Sequence, residues 1–184
     1  NIVNVYGICT TKPRLGLVME FCKGGQLSNW ITSASSSKLM EQKLKFLLDI
    51  AKGMTYLHDC GITHRDLKPD NILIDEYNVC KIADFGCSRA LSQAKMGTNS
   101  FQGTIQYMSV EALAAQRAGS STGVAMEDSS SKRQDQALQT SASDMFSFGV
   151  ILWELYMRRE PYGKRATIIE ILHKVVDLDK RPSS

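Results

Sequence analysis

Residues 64–71 read His64-Arg65-Asp66-Leu67-Lys68-Pro69-Asp70-Asn71, and Asp84-Phe85-Gly86 follows after two short apolar runs. Those runs, Ile72 to Ile74 and Val79 to Ile82, flank the turn residues Asp75 to Asn78, the pattern of a small β-hairpin. A hairpin returns the chain to where it started, so Asp84 is expected to come back beside Asn71. A fold for this chain must therefore present two polar loops side by side at the open end of that hairpin.

The rest of the chain reads as mixed helix and strand. Asn1 to Cys9 alternates and is rich in Val and Ile, Thr11-Lys12-Pro13-Arg14 breaks it, and Leu15 to Phe21 resumes, which predicts two strands around a turn. Gly24-Gly25 ends the second strand, and Leu27 to Ile31 predicts a brief helix running into the Ser-rich Ser33 to Ser37. From Met40 to His58, Leu44, Leu47, Leu48, Ala51 and Met54 recur at steps of three and four, which predicts a helix buried along that face with Gly61 as its stop. Between Ala115 and Ser143 there is no aromatic residue and no isoleucine, so this stretch is expected to be a disordered insertion. A strongly apolar helix is expected from about Ser143 to Met157, then a turn at Pro161-Tyr162-Gly163 and a last helix from Ala166 to about Val176.

Of the 184 residues, 43% are hydrophobic and 22% charged, the composition of a folded domain rather than a disordered or fibrous chain. A net charge of +3 gives no argument for a nucleic-acid partner. The most apolar stretch, Phe146 to Met157, is interrupted by Ser147 and Glu154 and falls short of the roughly 18 apolar residues a membrane span needs. Five cysteines without C-x-x-C spacing suit reduced thiols in cytosol or nucleus. With neither an initiator Met nor a signal peptide at Asn1, the chain is expected to be a fragment. His58 and His173 lack Cys or His neighbours in sequence and are read as solvated or packed side chains, and Cys87 as a buried, inert thiol. Nothing in the sequence specifies an oligomeric state.

Phosphoryl transfer explains the central motifs. Moving a γ-phosphoryl group needs a carboxylate to orient and deprotonate an incoming hydroxyl, a cation near the group in transit, and hard oxygen ligands for magnesium. Asp66, Lys68 and the pair of Asn71 with Asp84 supply these.

On these residues the sequence resembles the eukaryotic protein kinase catalytic domain of the serine/threonine type, closest to the tyrosine-kinase-like group in the wording of Phe148 to Leu155. The resemblance implies an α+β, kinase-like fold: residues 1–22 as the end of the small lobe and the hinge, residues 23–184 as a truncated, mainly helical large lobe, with 115–143 as the insertion. It implies ATP and Mg2+ as cofactors and a protein substrate with a Ser or Thr acceptor. Met19 falls at the gatekeeper, the Glu20 carbonyl and Cys22 amide face adenine, and Leu73 forms the adenine floor. Gly103-Thr104 with Tyr107 to Glu111 resembles the end of the activation segment, and Asp144 would brace the catalytic loop. Ser100 matches an activating phosphosite, with Thr98 as competitor and Arg65 and Arg89 as its basic receivers, while Lys68 and Thr104 mark a Ser/Thr acceptor.

The sequence also departs from the family pattern. The glycine-rich loop, the phosphate-binding lysine and the small-lobe glutamate would precede Asn1, and the later helices would follow Lys180-Arg181-Pro182, so these 184 residues alone are expected to have little kinase activity. Ile105 and Ser109-Val110 stand where prolines are usual, which is expected to loosen the peptide-docking loop. The alternative reading is a kinase-like pseudoenzyme acting as a binding scaffold, and the sequence upstream of Asn1 discriminates the two.

Overall fold

The structure, a computed structural model, describes residues 1–11, 16–33, 39–84, 104–114, 141–163 and 166–183. It divides into two compact units, Asn1–Asp59 with Pro69–Ala83, and Cys60–Lys68 with Asp84–Ser184.

In the first unit, β1 (Val5–Cys9) and β2 (Gly16–Met19) pair antiparallel from Val5↔Met19 to Cys9↔Gly16, with a register shift between Val5 and Gly7. Of the expected turn Thr11 to Arg14, residues 12–14 lie outside the described residues, as does Leu15, the expected start of the second strand. A second sheet has the order β3 (Gly25–Gln26), β4 (Ile72–Ile74), β5 (Cys80–Ile82). The predicted hairpin is its β4–β5 pair, in register from Ile72↔Ile82 to Ile74↔Cys80, and Asn78 takes the left-handed conformation (φ 57°) that the turn requires. The first residues extend this sheet: Val3 N–H donates to Ile82 O and Ile82 N–H to Asn1 O, both at 2.9 Å.

Two helices complete the unit, α1 (Leu27–Ser33) and α2 (Leu39–Asp59). The predicted extent of α2 holds, and of its expected face Met54 is buried and Leu47 and Ala51 are half-buried, but the face is rotated away from Leu44 and Leu48. Leu44 and Leu48 are 59% and 55% exposed, while Phe46, Ile50, Met54 and Leu57 are buried with Ile72, Ile74 and Ile82. Apolar residues run around more than one face of this helix, so two rows at helical spacing compete. The row containing Gly53 wins because it permits close approach: a Cβ there would lie 2.6 Å from Asn1 O and 2.8 Å from Ile82 Cδ1. Phe46 also meets Trp30 of α1 edge-on, ring centres 5.0 Å apart.

This contact yields a stability prediction. Ala has a helix propensity better than Gly by about 1 kcal/mol. At Gly53 the added methyl would instead press on a carbonyl already bonded to the Ile82 amide. Gly53→Ala is therefore expected to destabilise by about 1–3 kcal/mol, as overpacking does, read as a lower urea midpoint at unchanged m-value. An unchanged or raised midpoint would refute it.

In the second unit, a 3-10 turn (Ile105–Tyr107) leads through Met108 and Ser109 into a short helix at 110–114, and α3 (Ser141–Met157) and α4 (Ile168–Leu172) follow. Two boundaries are corrected. The last residues of the expected insertion, Ser141 to Ser143, form the first turn of α3, while 115–140 lie outside the described residues. The last helix starts at Ile168 rather than Ala166, because Thr167 caps it: the Thr167 hydroxyl accepts the Glu170 amide at 3.3 Å and the Glu170 carboxylate accepts the Thr167 amide at 2.8 Å. It ends in a π-turn, His173–Asp177.

Ile105 and Ser109 are both buried. Ile105 packs with Met108, Leu113, Ile171 and Val175, and the buried Ser109 hydroxyl accepts the Ala112 amide at 3.3 Å, capping the 110–114 helix. Along α3, Asp144, Ser147, Ile151 and Glu154 recur on one buried face. The polar members have partners: Tyr107 O–H donates to Glu154 at 2.6 Å and Ser147 O–H to Tyr107 O at 2.7 Å.

Candidate active site

In the second unit, the loop carrying the first motif hangs from α3. Asp144, 2% exposed, accepts the His64 amide on Oδ2 at 2.8 Å and the Arg65 amide on Oδ1 at 2.9 Å. Arg65 takes a left-handed backbone conformation (φ 71°), which a non-glycine residue keeps only when its surroundings enforce it. The Arg65 Nε–H donates to the Thr63 hydroxyl at 3.1 Å, and the Asp66 amide donates to His64 Nδ1 at 3.3 Å, which places the neutral ring's proton on Nε2. Buried His64 and Leu67 anchor the loop, and Asp66 and Lys68 between and beside them reach toward solvent.

Asp66 and Lys68 form one hydrogen-bonded group with Thr104. Asp66 Oδ1 accepts the Thr104 amide at 3.0 Å and the Thr104 hydroxyl at 3.1 Å, Asp66 Oδ2 lies 2.9 Å from Lys68 Nζ, and Lys68 Nζ donates to Thr104 Oγ1 at 2.7 Å. A carboxylate, an ammonium and a hydroxyl thus converge, an arrangement able to take a proton and to neutralise an anion at one place.

The first unit holds other predicted residues. Asn71 ends a 3-10 turn (Pro69–Asn71), and its carbonyl accepts the Ala83 amide at 2.8 Å, so the hairpin ladder continues to the residue before Asp84. Cys22 is buried with Val3 and Ala83, and Leu73 packs against them, so two of the expected adenine contacts share one apolar patch. Met19 ends β2, paired with Val5 and partly exposed. The Glu20 side chain binds Lys81, a partner the sequence reading missed. Burial opposes ionisation of Glu20, yet the Lys81 ammonium and the Asn4 amide outweigh it and hold the carboxyl below its usual range. Burial, and then the Glu20 charge, push the Cys22 thiol up, which keeps it protonated and unreactive at neutral pH. Burial likewise pushes up Cys80.

Asp84, the first residue after this unit, is exposed and left-handed (φ 58°), a conformation for which Asp is enriched. Phe85, Gly86, Cys87, Arg89, Thr98, Ser100 and Gly103 lie outside the described residues. The signal that could have exposed Lys81 was strand alternation: between buried Cys80 and Ile82, its side chain must emerge on the opposite face.

Comparison with known proteins gives a consistent picture. A family model described as "Protein kinase domain" matches residues 1–182. Probable serine/threonine-protein kinase SIS8 of Arabidopsis thaliana is 36% identical over 166 residues, covering 89% of this chain and 14% of that protein. Serine/threonine-protein kinase STY46 of the same plant is 33% identical over 183 residues, 100% of this chain and 28% of that protein. Mitogen-activated protein kinase kinase kinase dlk-1 of Caenorhabditis elegans is 34% identical over 168 residues, 90% of this chain and 16% of that protein. The chain therefore spans 14% to 28% of the length of these relatives.

Proposed function

The chain belongs to the protein kinase family, and on that premise we propose that the full-length protein carrying these residues, in which every activity test below is made, transfers the γ-phosphoryl group of ATP to serine or threonine hydroxyls of protein substrates. The observation that carries this is the Asp66–Lys68–Thr104 group, hung from Asp144 by two backbone amides. Asp66 orients the acceptor hydroxyl and takes its proton as that oxygen bonds to the γ-phosphorus. The bond from γ-phosphorus to the bridging oxygen breaks, and ADP leaves with that electron pair. Lys68 offsets the negative charge of the group in transit. Thr104, bonded to both, frames a site for a short aliphatic hydroxyl. Glu20 and Cys22 bind adenine through their backbone beside Met19 and Leu73.

Asn71 and Asp84 would hold magnesium, which when bound neutralises charge on the phosphates. The donor set fits: an amide oxygen and a carboxylate are hard ligands, and magnesium takes one or two such groups with water and phosphate oxygens rather than a full protein cage. Ser100 serves as activating phosphosite, received by Arg65 and Arg89. The unpaired thiols of Cys9, Cys22, Cys60 and Cys80 support a cytoplasmic or nuclear setting. No helix among the described residues is long and apolar enough to cross a membrane.

Labelled ATP, magnesium and a protein acceptor, followed by phosphoamino-acid analysis, test the proposal. Phosphoserine and phosphothreonine are expected. Phosphotyrosine alone would overturn the acceptor assignment, and nucleotide binding without transfer would favour the scaffold reading. Asp84→Asn separates metal holding from proton transfer: it is expected to raise KM for ATP, with partial recovery at higher magnesium. Removing a group that only orients a metal's ligand already costs about 10- to 100-fold, so losing a direct ligand should cost no less. A KM insensitive to magnesium would remove Asp84 from that role.

A further inference from the structure

On the face of β5 opposite Cys80 and Ile82, Lys81 Nζ meets two carboxylates, bonding Glu20 Oε2 and lying 3.6 Å from Asp75 Oδ2. The three side chains are 19%, 14% and 13% exposed. Each carboxylate is also tied to backbone. Glu20 Oε1 accepts the Asn4 amide at 2.7 Å, and the Glu20 amide donates back to Asn4 O at 3.0 Å. Asp75 Oδ1 accepts the Tyr77 and Val79 amides, both at 2.9 Å. The ammonium thus stands where the lead-in to β1, the stretch after β2 and the β4–β5 turn meet, all within one compact unit. The bond from Lys81 to Glu20 pushes the Lys81 ammonium above its ordinary range.

Residues 20–22 need such a tie. They belong to neither sheet, and Phe21 in their middle is 89% exposed. Their backbone is fixed at one end by Glu20 and at the other by buried Cys22, whose carbonyl accepts the Gly25 amide at 3.1 Å. We propose that Lys81 is a positioning residue for adenine binding: through the Glu20 carboxylate it holds the backbone of residues 20–22 at the place where the Glu20 carbonyl and Cys22 amide meet the base. The proposal rests on the nucleotide-binding reading above and deepens it.

The test measures adenosine and ATP binding in the protein together with steady-state kinetics. In Lys81→Met, adenosine affinity is expected to fall about tenfold and KM for ATP to rise by the same factor, with kcat within about twofold, since a hydrogen bond to a charged group is lost at the base end only. Lys81→Arg should restore both. Because Lys81→Met strands both carboxylates, the double variant Glu20→Gln/Lys81→Met removes the more closely paired of the two charges while keeping an acceptor for the Asn4 amide. It should recover part of the lost thermal stability, Asp75 keeping its Tyr77 and Val79 amides, but not adenosine affinity, and it decides the matter if the single variant does not fold. Wild-type adenosine affinity in Lys81→Met, or in the double variant, would overturn the clamp. Absence of adenosine and ATP binding in the unaltered protein would instead overturn the nucleotide-binding reading on which it rests.

Discussion

Asp66→Asn is expected to lower turnover by about 10²- to 10⁴-fold, the worth of a positioned general base, while ATP affinity stays within about twofold. The local geometry explains why the amide cannot substitute. The carboxamide oxygen can replace Oδ1 and accept from Thr104, as Oδ1 does now at 3.0 and 3.1 Å. The NH2 then stands where Oδ2 faces Lys68 Nζ at 2.9 Å, donor against ammonium, and Lys68 must withdraw. The variant therefore loses the base and displaces the cation together, so its defect and that of Lys68→Ala should combine less than additively. Initial rates with saturating ATP measure the first effect and the double variant the second. Full turnover in Asp66→Asn would overturn the phosphoryl-transfer mechanism itself.

How much of this was legible in the sequence depended on the range of each interaction. The β4–β5 hairpin was readable because its signal is local, two short apolar runs around four turn residues with Asn78 able to turn left-handed. The capping box at Thr167 and Glu170 was equally local, and attention to it would have placed the start of α4 correctly. By contrast β3 has only Gly25 and Gln26, too few residues to carry a period, and exists because Ile74 and Leu73 offer it a ladder. The buried face of α2 was legible at Met54 but not at Leu44 and Leu48, because steps of three and four can be drawn through two rows of an apolar-rich helix. Gly53, which lets the sheet approach, was the residue that distinguished them.

The site followed the same rule. Asp66, Lys68, Asn71 and Asp84 stand in short motifs and could be named from them. The bond from Lys68 to Thr104, 36 residues away, and the pair of Lys81 with Glu20, 61 residues away, arise from folding alone. Asp144 was nameable only through the family resemblance. Within its own helix it reads as an ordinary first-turn acid, and nothing local ties it to a loop 79 residues upstream.

That residue carries the largest expected structural effect. Asp144→Ala leaves the His64 and Arg65 amides without their carboxylate, and His64 is 0% exposed, so water cannot replace the lost acceptor without opening the unit. Each buried donor left unsatisfied costs about 1–3 kcal/mol. The His64 bond is buried and the Arg65 bond part-buried, so the loss is expected to be about 1–3 kcal/mol at His64 with a smaller addition at Arg65, a large share of the about 5–15 kcal/mol typical of a domain. Asp144→Asn distinguishes positioning from stability: its oxygen still serves one amide, but its NH2 opposes the other. The left-handed turn at Arg65 loses half its restraint, and Asp66 follows it directly in the chain. A misplacement of about 1 Å costs on the order of 10²-fold in rate, so Asp144→Asn should lose turnover to about that extent while remaining folded. Urea midpoints and kcat measured on both variants test this. Wild-type turnover in a folded Asp144→Asn protein would show that the loop carrying Asp66 holds its shape without the carboxylate.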